Sequence, residues 1–131
     1  MGIQWNRDKT FGDLGVLDLS EIPFAVKRIY WITNFVPGTI RGHHAHRTLR
    51  QAFLVLRGSV IFQISEGRKY FEVQLNEESD VLVIPPASWR TFSSNNQDSV
   101  LLVICDQTYE KSDYIRNWEE YLEWYDKKNG N

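Results

Sequence analysis

Cysteine is almost absent from this sequence, which has a single thiol, Cys105, among 131 residues. A disulfide framework within the chain and a cysteine-based zinc site both need at least two thiols, so neither is available here. Cys105 ends an apolar run, and we interpret it as a buried residue rather than a nucleophile. The low cysteine content is typical of a reducing compartment, and we expect a cytoplasmic protein.

The chain also lacks an excess of positive charge and a long apolar run. It contains 15 Lys and Arg against 17 Asp and Glu, a net charge of -2, and no basic cluster that would follow a nucleic-acid backbone. No segment approaches the ~20 apolar residues that a membrane helix needs, and the first residues lack the apolar stretch of a signal peptide. We therefore expect a protein that binds neither nucleic acid nor membrane and is not exported.

Short segments of alternating or continuous apolar character recur along the chain, with Gly, Pro, Asn and Asp between them. This spacing predicts an all-β sandwich or barrel, and the jelly-roll is the version that tolerates Greek-key crossings. We expect the whole chain, 1–131, to form one domain, since this length supports a single core. The predicted strands cover residues 26–33, 51–56, 59–65, 69–75, 81–84, 89–94 and 100–105, with edge strands at 3–5 and 14–19.

Only the tail of the chain has helical periodicity. Its aromatic residues are spaced as one stripe of a helix, and Ser112 is available as an N-cap. The pattern predicts a short C-terminal α-helix, at about 112–125, that packs on the barrel or on a second subunit. The residues of the stripe are Tyr114, Trp118, Tyr121 and Tyr125.

All three histidines of the protein, His43, His44 and His46, lie within four consecutive residues, with an arginine on either side. In an extended segment the side chains alternate, so His44 and His46 point one way while His43 and Ala45 point the other. Two imidazoles then share one small volume. We interpret the cluster as a functional site rather than a polar strand end.

The segment Gly42-x-His44-x-His46, followed five residues later by Gln51, resembles the first cupin motif, whose usual ligands are two His and a Glu. Gln51 stands in the place of that Glu, and the best match to the second cupin motif puts Arg90 in the place of a third His ligand. A guanidinium cannot ligate a metal ion and stays charged at any working pH. We therefore predict a cupin jelly-roll barrel without metal ligands and without a cofactor.

Without a metal, these side chains still suit proton transfer to and from a substrate. The unperturbed pKa of a histidine such as His44 is about 6.5, and the phenol of Tyr30 can relay or donate a proton to an oxyanion. Arg41 and Arg90 suit a phosphorylated substrate, and Trp89 offers a flat face to a base or sugar.

At these residues the sequence resembles the dTDP-sugar 3,4-ketoisomerases, which are cupins that act on dTDP-4-keto-6-deoxyglucose. The resemblance covers residues 22–122 and rests on Pro23-Phe24-x-x-Lys27-Arg28-Ile29-Tyr30, Arg41-Gly42-x-His44-Ala45-His46, Gln51, Leu56-x-Gly58-Ser59, Pro86-x-x-Trp89 and Tyr109-x-x-x-Asp113-Tyr114-Ile115-Arg116-Asn117. The chain departs from the family at Arg90, where a His is common, and at His43, where an aromatic residue is more usual.

The resemblance implies that His44 carries a proton between C3 and C4 of the hexose, with Tyr30 assisting. The product would be a dTDP-3-keto-6-deoxyhexose for deoxysugar or aminosugar biosynthesis, as used in lipopolysaccharide or S-layer glycans. We predict His44 and Tyr30 as catalytic residues, and a metal-free, strand-swapped homodimer. The predicted substrate contacts are Arg41, His46, Gln51, Trp89 and Arg90.

Other classes of protein remain open at this point. A sugar-nucleotide 3,5-epimerase would use the same base chemistry at another carbon. A non-catalytic cupin that binds sugar nucleotides would keep Arg41 and Trp89 without needing His44. A metal-dependent dioxygenase is disfavoured by Gln51 and Arg90.

Overall fold

Eleven strands and one helix make up the part of the chain that the computed structural model describes, residues 1–130. The N-terminal strands are β1 (Gln4–Asn6), β2 (Leu14–Val16), β3 (Arg28–Ile32) and β4 (Arg41–His46). The central strands are β5 (Gln51–Arg57), β6 (Ser59–Glu66), β7 (Lys69–Asn76) and β8 (Leu82–Ile84). They are followed by β9 (Ser88–Ser93), β10 (Val100–Cys105), β11 (Tyr114–Ile115) and the helix α1 (Trp118–Lys128).

The strands form two larger antiparallel sheets and one hairpin. One sheet has the order β3-β10-β5-β8 and the other β11-β4-β9-β6-β7, while β1 pairs only with β2. The sheets enclose the core as a jelly-roll sandwich, with separate edges rather than a continuous closed barrel. The predicted all-β class is confirmed, and β6 and β7 pair as an antiparallel hairpin.

Alternation along β5 explains how the core is filled. Phe53 and Val55 point between the sheets, where the ring of Phe53 lies 5.0 Å from that of Phe62. Ala52 and Leu54 point outward into a second cluster that includes Ile3 of the N-terminal segment. β5 is buried on both faces, which is why it reads as a continuous apolar run.

The C-terminal helix begins later than predicted. Asn117 is its N-cap and accepts a hydrogen bond from the backbone N–H of Glu120 at 2.9 Å, whereas Ser112 lies in a 3-10 turn. Tyr114 is extended, because it pairs with His46 as part of β11. The predicted start at 112 was wrong, since pairing with β4 outweighs the helical spacing of Tyr114.

Helix α1 packs on the outer face of the sheet that contains β4, which is one of the two arrangements expected from its aromatic stripe. Tyr121 is fully buried, and its hydroxyl accepts a hydrogen bond from Gly67 N at 2.8 Å and donates to Ala87 O at 2.7 Å. These bonds tie the helix to the β6–β7 turn and to the segment before β9. Within residues 1–130, no helix combines the length and apolar character needed to cross a lipid bilayer.

Candidate active site

A β-bulge in β4 sets the orientation of the histidine segment. Gly42 pairs with Thr91 and His44 with Arg90, so His43 is an extra residue without a partner on β9. Gly42 and His43 both have positive φ, 95° and 57°, and a Cβ at Gly42 would lie 2.7 Å from the carbonyl oxygen of Arg90. Because the bulge shifts the alternation by one residue, Arg41 and His44 both lie on the side of β4 that faces the other large sheet.

The two sheets splay at this end to form a cavity of about 370 Å³. Of the seven predicted site residues, five line it: Tyr30, Arg41, His44, Gln51 and Arg90. They come from four strands, β3, β4, β5 and β9, of both large sheets. Sequence-distant polar side chains therefore converge on one cavity, as in a small-molecule site.

The hydrogen bond of the His44 ring fixes which of its two nitrogens can accept a proton. Its Nδ1 lies 3.0 Å from the carbonyl oxygen of Gly42, which can only accept, so Nδ1 carries the hydrogen of the neutral ring. Nε2 therefore has a free lone pair, and no hydrogen bond within residues 1–130 uses it. Burial, together with the charge of Arg90, lowers the pKa of His44 to about 3, so the ring is a free base at neutral pH.

His46 is held by a carboxylate and does not line the cavity. Its ring is fully buried, 4.9 Å from that of His44, and Nδ1 donates to Asp113 Oδ2 at 2.9 Å. Burial of Asp113 opposes ionisation, but hydrogen bonds from Thr48 and His46 outweigh it and lower its pKa. Burial and the charge of Arg90 lower the pKa of His46 to about 4.

The Nε2 atom of His46 is a buried acceptor for which residues 1–130 supply no hydrogen-bond partner. Such an atom costs about 1–3 kcal/mol, and a cost of this kind is more typical of functional sites than of structural cores. His46, which was predicted to contact the substrate, is not among the residues that line this cavity. Its position behind His44 fits a supporting role.

Tyr30, Gln51 and Arg90 form one hydrogen-bonded chain across the cavity. Arg90 donates from Nη1 to Gln51 Oε1 at 2.5 Å, and Gln51 Nε2 donates to the hydroxyl oxygen of Tyr30 at 3.1 Å. Burial lowers the pKa of Arg90 to about 10 and raises that of Tyr30 to about 12, so the guanidinium stays charged and the phenol stays protonated at neutral pH. The chain thus contains a buried cation at one end and a phenol at the other.

The cavity is strongly positive. Four arginines line it, whereas none of its lining residues is a carboxylate: Arg28, Arg41, Arg90 and Arg116. Arg90 is only 1% exposed, and its other hydrogen bonds go to the carbonyl of Ser88. A buried cation without a carboxylate partner favours an anionic ligand.

Trp89, which was predicted to contact the substrate, is not among the residues that line this cavity. It is next to Arg90 on β9, so it points to the opposite face of the sheet. There its ring lies 5.3 Å from Trp118 and 5.6 Å from Tyr121, as part of the contact with α1. Cys105 is fully buried, as expected.

The prediction of site residues missed three polar side chains of the cavity: Arg28, Tyr114 and Arg116. Arg28 shares its strand face with Tyr30, 5.0 Å from that ring, and this alternation is visible in the sequence. Tyr114 and Arg116 were missed because their segment was assigned to the helix. The guanidinium of Arg116 lies 4.3 Å from the ring of Tyr114.

The low pKa values of His44 and His46 predict that the protein loses stability in acid. Both folded-state values, about 3 and about 4, lie below the unfolded value of about 6.5, so the unfolded chain binds protons first. Their stabilising contribution is complete above pH ~6.5 and is lost as the pH falls toward 4 and 3. Urea unfolding at a series of pH values between pH 7 and pH 4 measures the free energy of unfolding. In a His44→Asn/His46→Asn double variant this free energy should depend less steeply on pH. If the double variant kept the pH dependence of the wild type, His44 and His46 would not be the residues responsible for it.

Comparison with known proteins identifies the family. Residues 3–126 match the family model described as FdtA: WxcM-like, C-terminal. TDP-4-oxo-6-deoxy-alpha-D-glucose-3,4-oxoisomerase from Aneurinibacillus thermoaerophilus is 32% identical over 108 residues, which is 82% of this chain and 78% of that protein.

Solved structures of 3,4-ketoisomerases are also similar to this chain in fold and sequence. A mutant of the 3,4-ketoisomerase QdtA from Thermoanaerobacterium thermosaccharolyticum, in complex with TDP-4-keto-6-deoxyglucose, superposes with a TM-score of 0.86 at 32% identity, covering 96% of this chain and 91% of that one. A 3,4-ketoisomerase from Helicobacter canadensis has a TM-score of 0.84 at 32% identity, covering 95% and 94% of the two chains. From its sequence, its fold and the residues of its cavity, the chain belongs to the FdtA family of sugar-nucleotide 3,4-ketoisomerases.

Proposed function

We propose that this protein is an isomerase that converts dTDP-4-keto-6-deoxy-D-glucose into a dTDP-3-keto-6-deoxyhexose. The observation that carries the proposal is the arrangement of His44 and Tyr30 in one cavity, one with a free lone pair on Nε2 and the other with a protonated hydroxyl. Removing a proton next to a ketone requires a positioned base, and the enediolate that forms requires a donor or a positive charge.

The reaction moves two protons and changes no net oxidation state. His44 takes the proton from C3, and the electrons of the C3–H bond form the C3–C4 double bond while the C4 carbonyl oxygen becomes an enediolate oxygen. Tyr30 donates a proton to that oxygen and receives one from the C3 hydroxyl. The proton on His44 exchanges with solvent, and His44 then delivers a proton to C4, so that C3 carries the ketone and C4 the hydroxyl.

Arg28, Arg41 and Arg116 are proposed to bind the diphosphate of the substrate. All three line the cavity, and none makes an ion pair within residues 1–130. Guanidinium groups bind phosphate oxygens in bidentate geometry. Arg90, which is much more deeply buried, is proposed to act on the sugar through Gln51 and Tyr30.

The reaction is proposed to be independent of metal. Gln51 and Arg90 stand where a metal cupin would supply a carboxylate and a third imidazole, and a guanidinium repels a divalent cation. We also propose that the protein acts in the cytoplasm, because its only cysteine is a free thiol.

NMR of the purified protein with dTDP-4-keto-6-deoxyglucose in deuterated buffer tests this proposal. An isomerase should give a 3-keto product with deuterium at C4, and deuterium at C3 of the remaining substrate, and activity should persist after dialysis against EDTA. A 3,5-epimerase would place deuterium at C3 and C5 and leave the ketone at C4. A protein that only binds the sugar nucleotide would give no exchange, and either of the last two results would refute the proposal.

We further propose a strand-swapped homodimer in which a strand of one subunit pairs with the free edge β3 of the other. β3 is at the end of its sheet, and on its outer face Ile29 is 44% exposed and Trp31 65% exposed. Val36 and Ile40, in the segment that follows, are also exposed. An uncovered edge strand with apolar side chains is a template for pairing with another chain.

Trp31→Arg is expected to convert the dimer into a monomer at micromolar concentration, because it places a charge in the proposed contact. Light scattering coupled to gel filtration measures the mass. Tyr70→Arg is the matched control, since Tyr70 is 60% exposed on β7, at the edge of the other sheet. A monomeric wild type, or a dimeric Trp31→Arg variant, would rule out this interface.

A further inference from the structure

The orientation of the Gln51 side-chain amide determines which groups donate and which accept in the hydrogen-bonded chain of Arg90, Gln51 and Tyr30. It is 2% exposed at the start of β5, between Arg90 on β9 and Tyr30 on β3. Arginine has five N–H donors and no acceptor, so the Gln51 atom that faces Arg90 must be the oxygen. The amide nitrogen then faces Tyr30.

This orientation leaves the hydrogen of Tyr30 available. The hydroxyl oxygen of Tyr30 accepts from Gln51 Nε2 at 3.1 Å, while no hydrogen bond within residues 1–130 uses its own O–H. All donors in the chain therefore point the same way, from Arg90 through Gln51 and Tyr30 toward the cavity. Hydrogen bonds in such a chain polarise one another, and the charge of Arg90 lies at its start.

We propose that Gln51 is a positioning residue that fixes this direction, so that Tyr30 donates its hydrogen to the substrate oxygen that becomes negative in the enediolate. The inference rests on the proposed ketoisomerase reaction and adds a role for the amide within it. An amide is needed because it accepts on one side and donates on the other, which neither a carboxylate nor an apolar side chain of the same length can do.

A carboxylate at position 51 should reverse the hydrogen bond between residue 51 and Tyr30, so that the Tyr30 hydroxyl becomes the donor. In a Gln51→Glu variant the introduced carboxylate would accept from Arg90 and also from the Tyr30 hydroxyl, which would turn that hydrogen away from the cavity. Loss of one donor to an oxyanion typically costs about 100-fold to 1,000-fold in rate. We expect kcat to fall by about 100-fold at pH 8 with little change in dTDP affinity.

The loss should diminish as the pH is lowered, because the introduced carboxyl group can again donate to Tyr30 once it is protonated. The titratable groups that contact Gln51 are Tyr30 on β3, Arg90 on β9 and Cys105 on β10. His44 and His46 on β4 belong to the same site, and burial lowers their pKa values to about 3 and about 4. Burial raises the pKa of Tyr30 to about 12 and that of Cys105 above its usual value, and lowers that of Arg90 to about 10. None of them changes charge between pH 5 and pH ~8, so a new limb in the pH profile belongs to the introduced carboxyl group.

The experiment compares wild type, Gln51→Glu and Gln51→Met in the C3/C4 exchange assay between pH 5 and pH 8. EDTA is present throughout, since a carboxylate introduced beside His44 and His46 would complete a two-histidine, one-carboxylate metal set. Gln51→Met is the matched control: it should lose activity and keep the pH dependence of the wild type. A Gln51→Glu variant with wild-type kcat at pH 8 would overturn the proposal.

A second measurement does not depend on the reaction. In protein labelled with [13Cζ]tyrosine, the Tyr30 signal is assigned by its loss in Tyr30→Phe. It should shift in Gln51→Glu at pH 8 as the phenol becomes a donor to a carboxylate, and return toward the wild-type position at low pH. If the wild type gives no C3/C4 exchange, the proposed function fails, whereas an unshifted Tyr30 signal refutes the role of Gln51 by itself.

Discussion

Replacing His44 by Asn is expected to lower the rate of C3/C4 proton transfer by about 100-fold to 10,000-fold, the usual cost of losing a general base. The reason is the free lone pair on Nε2, which is a consequence of the bond from Nδ1 to the Gly42 carbonyl. Asn keeps some hydrogen bonding but cannot take up a proton. Affinity for dTDP should change little, because that affinity is attributed to the arginines of the cavity.

Deuterium exchange at C3 and C4, measured together with a dTDP titration, tests this expectation. His43→Asn is the matched control, because His43 is exposed and its positive φ of 57° suits Asn. His46→Asn should be milder than His44→Asn, since His46 lies behind the cavity. Wild-type exchange in His44→Asn would refute its role as base, and a parallel loss of dTDP binding would assign it a structural role.

The second large effect is expected for Tyr30→Phe, which should reduce turnover by about 100-fold. Burial raises the pKa of Tyr30 to about 12, so at neutral pH its hydroxyl is a proton donor and not a base. Phe keeps the ring and its contact with Arg28 but removes the hydroxyl that is proposed to protonate the C4 oxygen. KM and dTDP affinity should stay close to those of the wild type.

Steady-state kinetics across pH 6 to 9 separates this effect from a loss of structure. Tyr70→Phe is the control, because it removes one hydroxyl from an exposed tyrosine on β7, outside the cavity. If Tyr30→Phe keeps more than about half of the wild-type kcat, another group protonates the C4 oxygen. In that case Tyr114, which also lines the cavity, is the next residue to replace.

Strand positions and the shared face of His44 and His46 were predictable from the sequence because both follow from alternation. Alternation also places Arg28 and Tyr30 on the same face of β3. It places Trp89 and Arg90 on opposite faces of β9, which the prediction of both as substrate contacts did not take into account. These are local properties, since each depends on residues a few positions apart.

The rest of the site depends on contacts that alternation does not encode. The bulge at His43 changes which residues of β4 face inward, and it requires a close approach of Gly42 to the backbone of β9. The free lone pair of His46 depends on Asp113, which only the fold brings close, and that of His44 depends on the bulge that turns the Gly42 carbonyl toward its ring. Tyr114 followed the helical spacing of the tail, yet pairing with β4 determined its conformation.

The bond between His46 and Asp113 joins residues 67 positions apart. The segment that supplies Asp113 leads directly into β11, which lies at one edge of its sheet and precedes α1. A ribosome-bound chain that lacks this segment therefore has no complete His46 support, even when β3 to β10 are present. Activity should therefore arise only after the segment that contains Asp113 has been synthesised and has paired with β4, so a shorter nascent chain cannot convert the reactive keto-sugar.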